Sequence, residues 1–231
     1  MKYSLDTAKL ELIKEGMAKY PIAAFSMNPS IAVRDLKESS KTFLENVKEI
    51  RETIGDSTEF YVQAVGETTE EMVRDAKRIS EEVSGNLFVK IPAGPNGFKA
   101  IEILKSEGIK VACTAVMSVN QALLAAAAGA DIIAVYVNRI DNNGGDGIEL
   151  LEKIVKSYNA LNIKTEVSAA SIKNAATVEK AALVGVTCVA VNLEVLAACA
   201  NHPLTQPTLT QFKKDWKDMY GAGTLIHNME K

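Results

Sequence analysis

Short apolar runs rich in β-branched residues alternate along this chain with longer stretches whose apolar positions recur every three or four residues. The short runs predict strands over Tyr3 to Thr7, Ala23 to Met27, Phe60 to Val65, Leu87 to Ile91, Lys110 to Val116, Ile132 to Val137, Glu166 to Ala170 and Cys188 to Asn192. The longer stretches, among them "TTEEMVRDAKRISEEV", "NGFKAIEILKSEG" and "GIELLEKIVKSYNA", predict helices, and several of them close on glycine. Eight strand-helix alternations in a chain of 231 residues predict a (β/α)8 TIM barrel rather than an open doubly wound sheet. No Gly-rich phosphate or dinucleotide loop follows the first strand, which weakens the open-sheet alternative further. The barrel is expected to occupy residues 1-204 as a single catalytic domain, with a helical extension over 205-231.

Barrel geometry sorts the polar residues, because alternate strand side chains point inward and active sites lie where the strands end. In "NLFVKIPAG", residues 86 to 94, Val89 and Ile91 would face the helices, so that Phe88 and Lys90 point into the barrel. A buried ammonium without a partner is costly, and the usual relief is a neutral nitrogen, which is a nucleophile. The alternative is an interior ion pair with Asp6. Other polar residues fall at equivalent places: Asp6 on strand one, Asn28 after strand two, Gln63 on strand three and Thr114 on strand five. Tyr136 and Arg139 lie on and after strand six, and Ser171 and Lys173 follow strand seven. A carboxylate, an amine, an amide and a phenol converging on one rim read as a chemical site. Blander roles are open to several: Asp6 as a helix N-cap, Asn28 as a turn residue before Pro29, Arg139 paired with Asp141, and Tyr136 as an interior ring.

Composition narrows the class. The hydrophobic content of 47% supports a large core, and a net charge of -3 with no basic run argues against nucleic acid as a partner. No signal-like or membrane-spanning apolar run is present, so a soluble, cytoplasmic protein is expected. Cys113, Cys188 and Cys199 have no C-x-x-C spacing and read as reduced structural thiols, while His202 and His227 pair with no ligand at metal spacing. No metal site and no cofactor motif emerge.

At the rim residues the chain resembles the Schiff-base transaldolases, in particular their small fructose-6-phosphate aldolase subgroup. The resemblance spans nearly the whole length through "LDT" at Leu5 to Thr7, "NPSI" at Asn28 to Ile31, "VKIP" at Val89 to Pro92, "YVNRID" at Tyr136 to Asp141, "AASIK" at Ala169 to Lys173, "GGDGIE" and "HPLT". It implies that Lys90 forms a Schiff base with a ketose, that Asp6 transfers protons, and that Asn28 binds the dihydroxyacetone part. Gln63, Thr114 and Tyr136 would hold the catalytic water, the set typical of the aldolase branch. Arg139, Ser171 and Lys173 would bind the terminal phosphate. The chain departs from the family at Ser26-Met27, where Thr-Thr is usual, at "IPAGPNG", and at Val191-Asn192, whose amide could serve a sulfonate.

The expected activity is therefore making or breaking the C3-C4 bond of a ketose with an acidic group at C6, without metal or organic cofactor. The substrate is a sugar phosphate or a sulfonated sugar such as 6-deoxy-6-sulfofructose. The alternatives are a true transaldolase with an aldose phosphate acceptor, and a noncatalytic sugar-phosphate-binding barrel. Phe212, Trp216 and Tyr220 recur every four residues in the extension and predict an interface stripe. Small members of the resembled family clasp a neighbouring subunit with such a helix, implying a homo-oligomer, a pentamer or a decamer.

Overall fold

A computed structural model of the chain describes residues 1–229. Eight parallel strands close into a barrel in chain order, with β8 pairing back to β1. The elements run β1 (Lys2–Asp6), α1 (Leu10–Lys19), β2 (Ala24–Ser26), α2 (Pro29–Leu36), α3 (Phe43–Ile54), β3 (Glu59–Gln63) and α4 (Thr69–Glu82). They continue with β4 (Leu87–Pro92), α5 (Pro95–Ser106), β5 (Val111–Val116), α6 (Val119–Ala127), β6 (Ile132–Tyr136), α7 (Val137–Asp141) and α8 (Gly147–Ala160). The last are β7 (Glu166–Ala170), α9 (Ala175–Val184), β8 (Cys188–Val191), α10 (Leu193–Ala200) and α11 (Thr205–Tyr220). The (β/α)8 barrel expected from the alternation is thus the fold. The chain forms two compact units, Met1–Leu196 and Ala197–Lys231.

Local sequence explains where the helices begin. Asn28, Thr42, Thr68, Ser118, Asp146 and Asn174 each cap a helix by accepting a hydrogen bond from a backbone N–H of its first turn, and Thr42 and Thr68 form full capping boxes with Glu45 and Glu71. Helix α1 departs from expectation. It starts at Leu10 with Lys9 at the cap position, so Asp6 is not its N-cap. The reason is tertiary: Thr7 Oγ1 and Ala8 N donate to Asp35 Oδ2 at 2.8 and 2.9 Å, which holds the chain extended past Asp6. Helix α5 needs glycine at Gly97, where a Cβ would stand 1.9 Å from the Pro92 carbonyl oxygen at the end of β4.

The strands sort their side chains by alternation. Val89 and Ile91 are fully buried against the helices, while Phe88 packs inside the barrel and stacks on Tyr61 with ring centroids 4.8 Å apart. Lower still, the Tyr61 hydroxyl donates to Glu59 Oε2 at 2.7 Å, and Lys2 Nζ pairs with Glu59 at 2.7 Å and Glu166 at 3.0 Å. This aromatic and ionic layer fills the barrel's N-terminal end. Above it the inward positions carry Ala134, Ala170 and Ala190 rather than the bulky branched residues that fill most such barrels. The upper barrel is therefore hollow.

Within the second unit, helix α11 buries no residue; Phe212 is 61% exposed, and Trp216 donates from Nε1 to the Thr224 carbonyl at 2.8 Å. Among the described residues no helix is long and apolar enough to cross a membrane.

Candidate active site

The hollow opens at the C-terminal ends of the strands as a cavity of about 470 Å³. Lys90 stands on its wall, 6% exposed, and donates from Nζ to Ser26 Oγ at 3.0 Å. Asp6 closes β1 on the same wall; its Oδ1 is buried and has no hydrogen-bond partner among the described residues. Burial pushes the Asp6 carboxyl above the usual carboxylate range, against the pull of Lys90, the neighbouring Ser26 hydroxyl, Lys173 and Arg34. Lys90 and Asp6 act on one another through this field and form no direct ion pair.

Asn28 lines the cavity while capping α2. Its Oδ1 accepts from Ile31 N at 2.9 Å, which leaves the amide NH2 to donate to a ligand. Tyr136 ends β6 on the opposite side, and its hydroxyl oxygen accepts from Thr114 Oγ1 at 3.2 Å. Thr114 itself is buried and does not line the cavity. Gln63 is also absent from the wall; it ends β3 in register with Lys90, and its Oε1 is buried without a partner among the described residues.

Arg139, Ser171 and Lys173 reach the cavity from α7 and from the turn after β7. Asp141 is committed elsewhere: its Oδ1 accepts from Gly147 N at 2.8 Å, where the chain enters α8. Arg139 accordingly takes no part in a loop ion pair with Asp141. Ser171 holds a left-handed backbone at φ 60, a conformation that non-glycine residues adopt at a cost and that clusters at ligand sites.

Among the wall residues that strand-end counting did not single out, two make side-chain hydrogen bonds to charged groups. Ser26 is one, although the period of two on β2 that turns Ala24 inward also turns Ser26 inward. Arg34 on α2 is the other. Its Nε donates to Asp35 Oδ1 at 2.6 Å, and although burial opposes it, Arg34, the Ala8 N–H and the Thr7 hydroxyl hold the Asp35 carboxyl below its usual range. The guanidinium is thereby fixed at the cavity mouth.

The charges on the wall are lopsided. Among the described residues Arg34, Lys90, Arg139 and Lys173 face the cavity against one carboxylate, Asp6. Such a site attracts anions, and its buried amine, carboxyl and phenol can perform addition to a carbonyl and proton transfer. Burial keeps the interior thiols in the neutral form, Cys188 pushed up to about 11 and Cys113 to about 12. No cluster of three or more His, Cys, Asp or Glu among the described residues is placed to hold a metal.

A family model described as transaldolase/fructose-6-phosphate aldolase matches residues 3–230. A probable transaldolase of Kosmotoga olearia is 37% identical over 225 residues, 97% of this chain and 99% of its own. A probable transaldolase of Thermoanaerobacter sp. is 35% identical over 226 residues, covering 94% and 97% of the two chains, and a probable fructose-6-phosphate aldolase of Streptococcus pneumoniae is 34% identical over 216, covering 94% and 96%. Among solved structures, mandelate oxidase with benzoyl-formic acid aligns at a TM-score of 0.55 and 14% identity over 83% of this chain and 64% of that one, a likeness of fold alone.

Proposed function

The chain belongs to the transaldolase/fructose-6-phosphate aldolase family, whose members are Schiff-base lysine enzymes, and we propose that it makes or breaks the C3-C4 bond of a ketose with an acidic C6 group. That membership sets aside the noncatalytic barrel. The observation that carries the proposal is the buried Lys90 on the wall of a cavity where four cations face one carboxylate.

In this mechanism the neutral Lys90 amine adds to the C2 carbonyl, and loss of water leaves an iminium. Asp6 takes the proton of the C4 hydroxyl as the C3-C4 bond breaks, and the bonding electrons flow into the iminium to give an enamine and an aldehyde. Asn28 donates from its free amide to the dihydroxyacetone portion. Arg139, Ser171 and Lys173 hold the acidic group, for which a guanidinium fork and a hydroxyl are suited donors. Tyr136 protonates or positions a water at the enamine, backed by Thr114, with Gln63 beside Lys90; hydrolysis then frees dihydroxyacetone.

The competing reaction is transfer of the enamine to an aldose phosphate, as the names of two of the relatives suggest. Screening ketose 6-phosphates and 6-sulfonates for aldehyde release, with and without an acceptor aldehyde, tests the reaction class and the acidic group together. Acceptor-independent release supports the aldolase; release only with acceptor assigns a transaldolase. Tyr136→Phe is expected to shift the ratio of cleavage to transfer toward transfer by roughly tenfold or more, the scale of a lost proton-transfer group. An unchanged ratio would remove Tyr136 from control of the enamine. The Asn192 amide, free to donate because its Oδ1 accepts from Val195 N at 2.9 Å, lines the same cavity and favours testing the sulfonate.

The protein is placed in the cytoplasm, where its unpaired Cys113, Cys188 and Cys199 suit a reducing compartment. Its assembly is a homo-oligomer of five or ten subunits built through α11, supported by the exposure of Phe212 and Tyr220 on that helix. Cutting the chain after Thr205 is expected to give smaller species by sedimentation than the full chain. Full-length protein that sediments as a monomer at micromolar concentration would exclude this role for α11.

A further inference from the structure

Asp6 Oδ1 is buried at the cavity wall without a hydrogen-bond partner among the described residues, so the placement of this carboxyl depends on the backbone that carries it. That backbone is tied on three sides just past Asp6. Thr7 N donates to the Ser26 carbonyl of β2 at 3.1 Å, and the Ala8 carbonyl accepts from Asn46 Nδ2 of α3 at 3.2 Å. On the third side Thr7 Oγ1 and Ala8 N both donate to Asp35 Oδ2 of α2, at 2.8 and 2.9 Å.

Asp35 has a second contact. Its side chain is 3% exposed, and its other oxygen, Oδ1, accepts from Arg34 Nε at 2.6 Å. A carboxylate taken out of water needs such donors, and Asp35 has them on both oxygens. Arg34 is 63% exposed and lines the cavity, and among the described residues nothing accepts from its two terminal nitrogens. A guanidinium that turns one edge to a carboxylate keeps the other for an oxyanion.

We propose that Asp35 is a positioning residue of this site: it holds the end of β1 so that Asp6 meets the C4 hydroxyl, and it fixes Arg34 as a further guanidinium, in addition to Arg139, for the acidic group of the ketose. This rests on the Schiff-base cleavage proposed above. Donors placed on Asp6 itself would stabilise its charged form and weaken it as a base; placing them one and two residues further on leaves the carboxyl free to take a proton. Misplacing a reacting group by about 1 Å costs on the order of 100-fold in rate, which gives the clamp its kinetic weight. A phosphate or sulfonate presents several oxygens, so it can accept from α2 as well as from α7 and the turn after β7.

Two substitutions separate the two contacts, because asparagine keeps one acceptor oxygen at this place and alanine keeps none. Asp35→Asn can turn its oxygen to Thr7 and Ala8, and then sets an NH2 against Arg34. Cleavage of a ketose 6-phosphate is measured with an acceptor aldehyde present, so that either fate of the enamine turns over. Asp35→Asn is expected to raise KM roughly tenfold with kcat lowered less than about threefold, and to leave KM for the uncharged ketose within about twofold. Arg34→Ala is expected to match that rise, and the two changes combined to add nothing further. Asp35→Ala is expected to show the same KM with kcat lower by roughly 30- to 100-fold. Its borohydride-trapped adduct with dihydroxyacetone, which has no C4 hydroxyl, is expected to form within about threefold of the wild-type rate. Thr7→Val, which removes one of the two ties at Oδ2, tests the β1 contact even if Asp35→Ala does not fold, with an expected loss of roughly tenfold in kcat and the adduct rate kept.

Cleavage and adduct formation that fall in parallel in Asp35→Ala, or an unchanged kcat in Thr7→Val, would overturn the positioning of Asp6. A KM that rises equally for charged and uncharged ketoses, or additive effects of Asp35→Asn and Arg34→Ala, would overturn the assignment of Arg34. Wild-type protein that forms no adduct on Lys90 overturns instead the Schiff-base reading on which both depend.

Discussion

Lys90→Met is expected to give a folded barrel that forms no borohydride-trapped adduct and whose turnover is lower by about 10⁴-fold or more, the scale on which losing a covalent nucleophile is felt. The variant isolates chemistry from folding because methionine fills the space of the lysine stem without a charge. Lys90 is 6% exposed and pays for burial with a hydrogen bond to one hydroxyl, so its ammonium contributes little to stability that methionine does not replace. Thermal unfolding should accordingly stay at or above the wild-type midpoint. Unfolded protein would show that Lys90 is structural, and a trapped adduct would assign the nucleophile to another lysine.

Arg139→Ala is expected to raise KM for a ketose with an acidic C6 group by roughly 30- to 300-fold while changing KM for the uncharged analogue by less than about threefold, since a charge-assisted contact is felt by the charged ligand. The structure makes this separation clean. Asp141 bonds Gly147 N, so removing Arg139 orphans no carboxylate. Asn143 Nδ2 donates to the Arg139 backbone carbonyl at 2.7 Å, a bond that alanine retains. Equal changes in KM for both ligands would make Arg139 a scaffold residue.

The strands were legible because short runs with a period of two have few alternative readings. The direction of Lys90 followed from Val89 and Ile91, whose complete burial against the helices leaves Lys90 no way to point but inward. Other features depend on contacts distant in sequence. Asp6 reads locally as a helix cap, and only Asp35, 28 residues beyond Thr7, explains why α1 begins later. Arg34 faces the cavity because of how α2 is rotated on the barrel, which a helical period does not reveal. Alternation carries Thr114 inward as expected, but it is buried against the Tyr136 hydroxyl rather than on the wall, and the pairing of β5 with β6 becomes irregular just after it, where Ala115 takes φ 57. The hollow was hidden for a different reason, since Ala134, Ala170 and Ala190 look like indifferent strand residues until the barrel closes and sets them face to face.

Ser26 shows how a departure from a family pattern can be read physically. As a sequence it is a serine where threonine is usual. In the fold its hydroxyl accepts from Lys90 Nζ, and a hydroxyl is the feature the two residue types share.

The most direct measurement is to incubate the wild-type protein with dihydroxyacetone, reduce with borohydride, digest, and locate the modified lysine by peptide mass mapping. The adduct is expected on Lys90. An adduct on Lys173, which shares the cavity, or on no lysine at all, would contradict the mechanism.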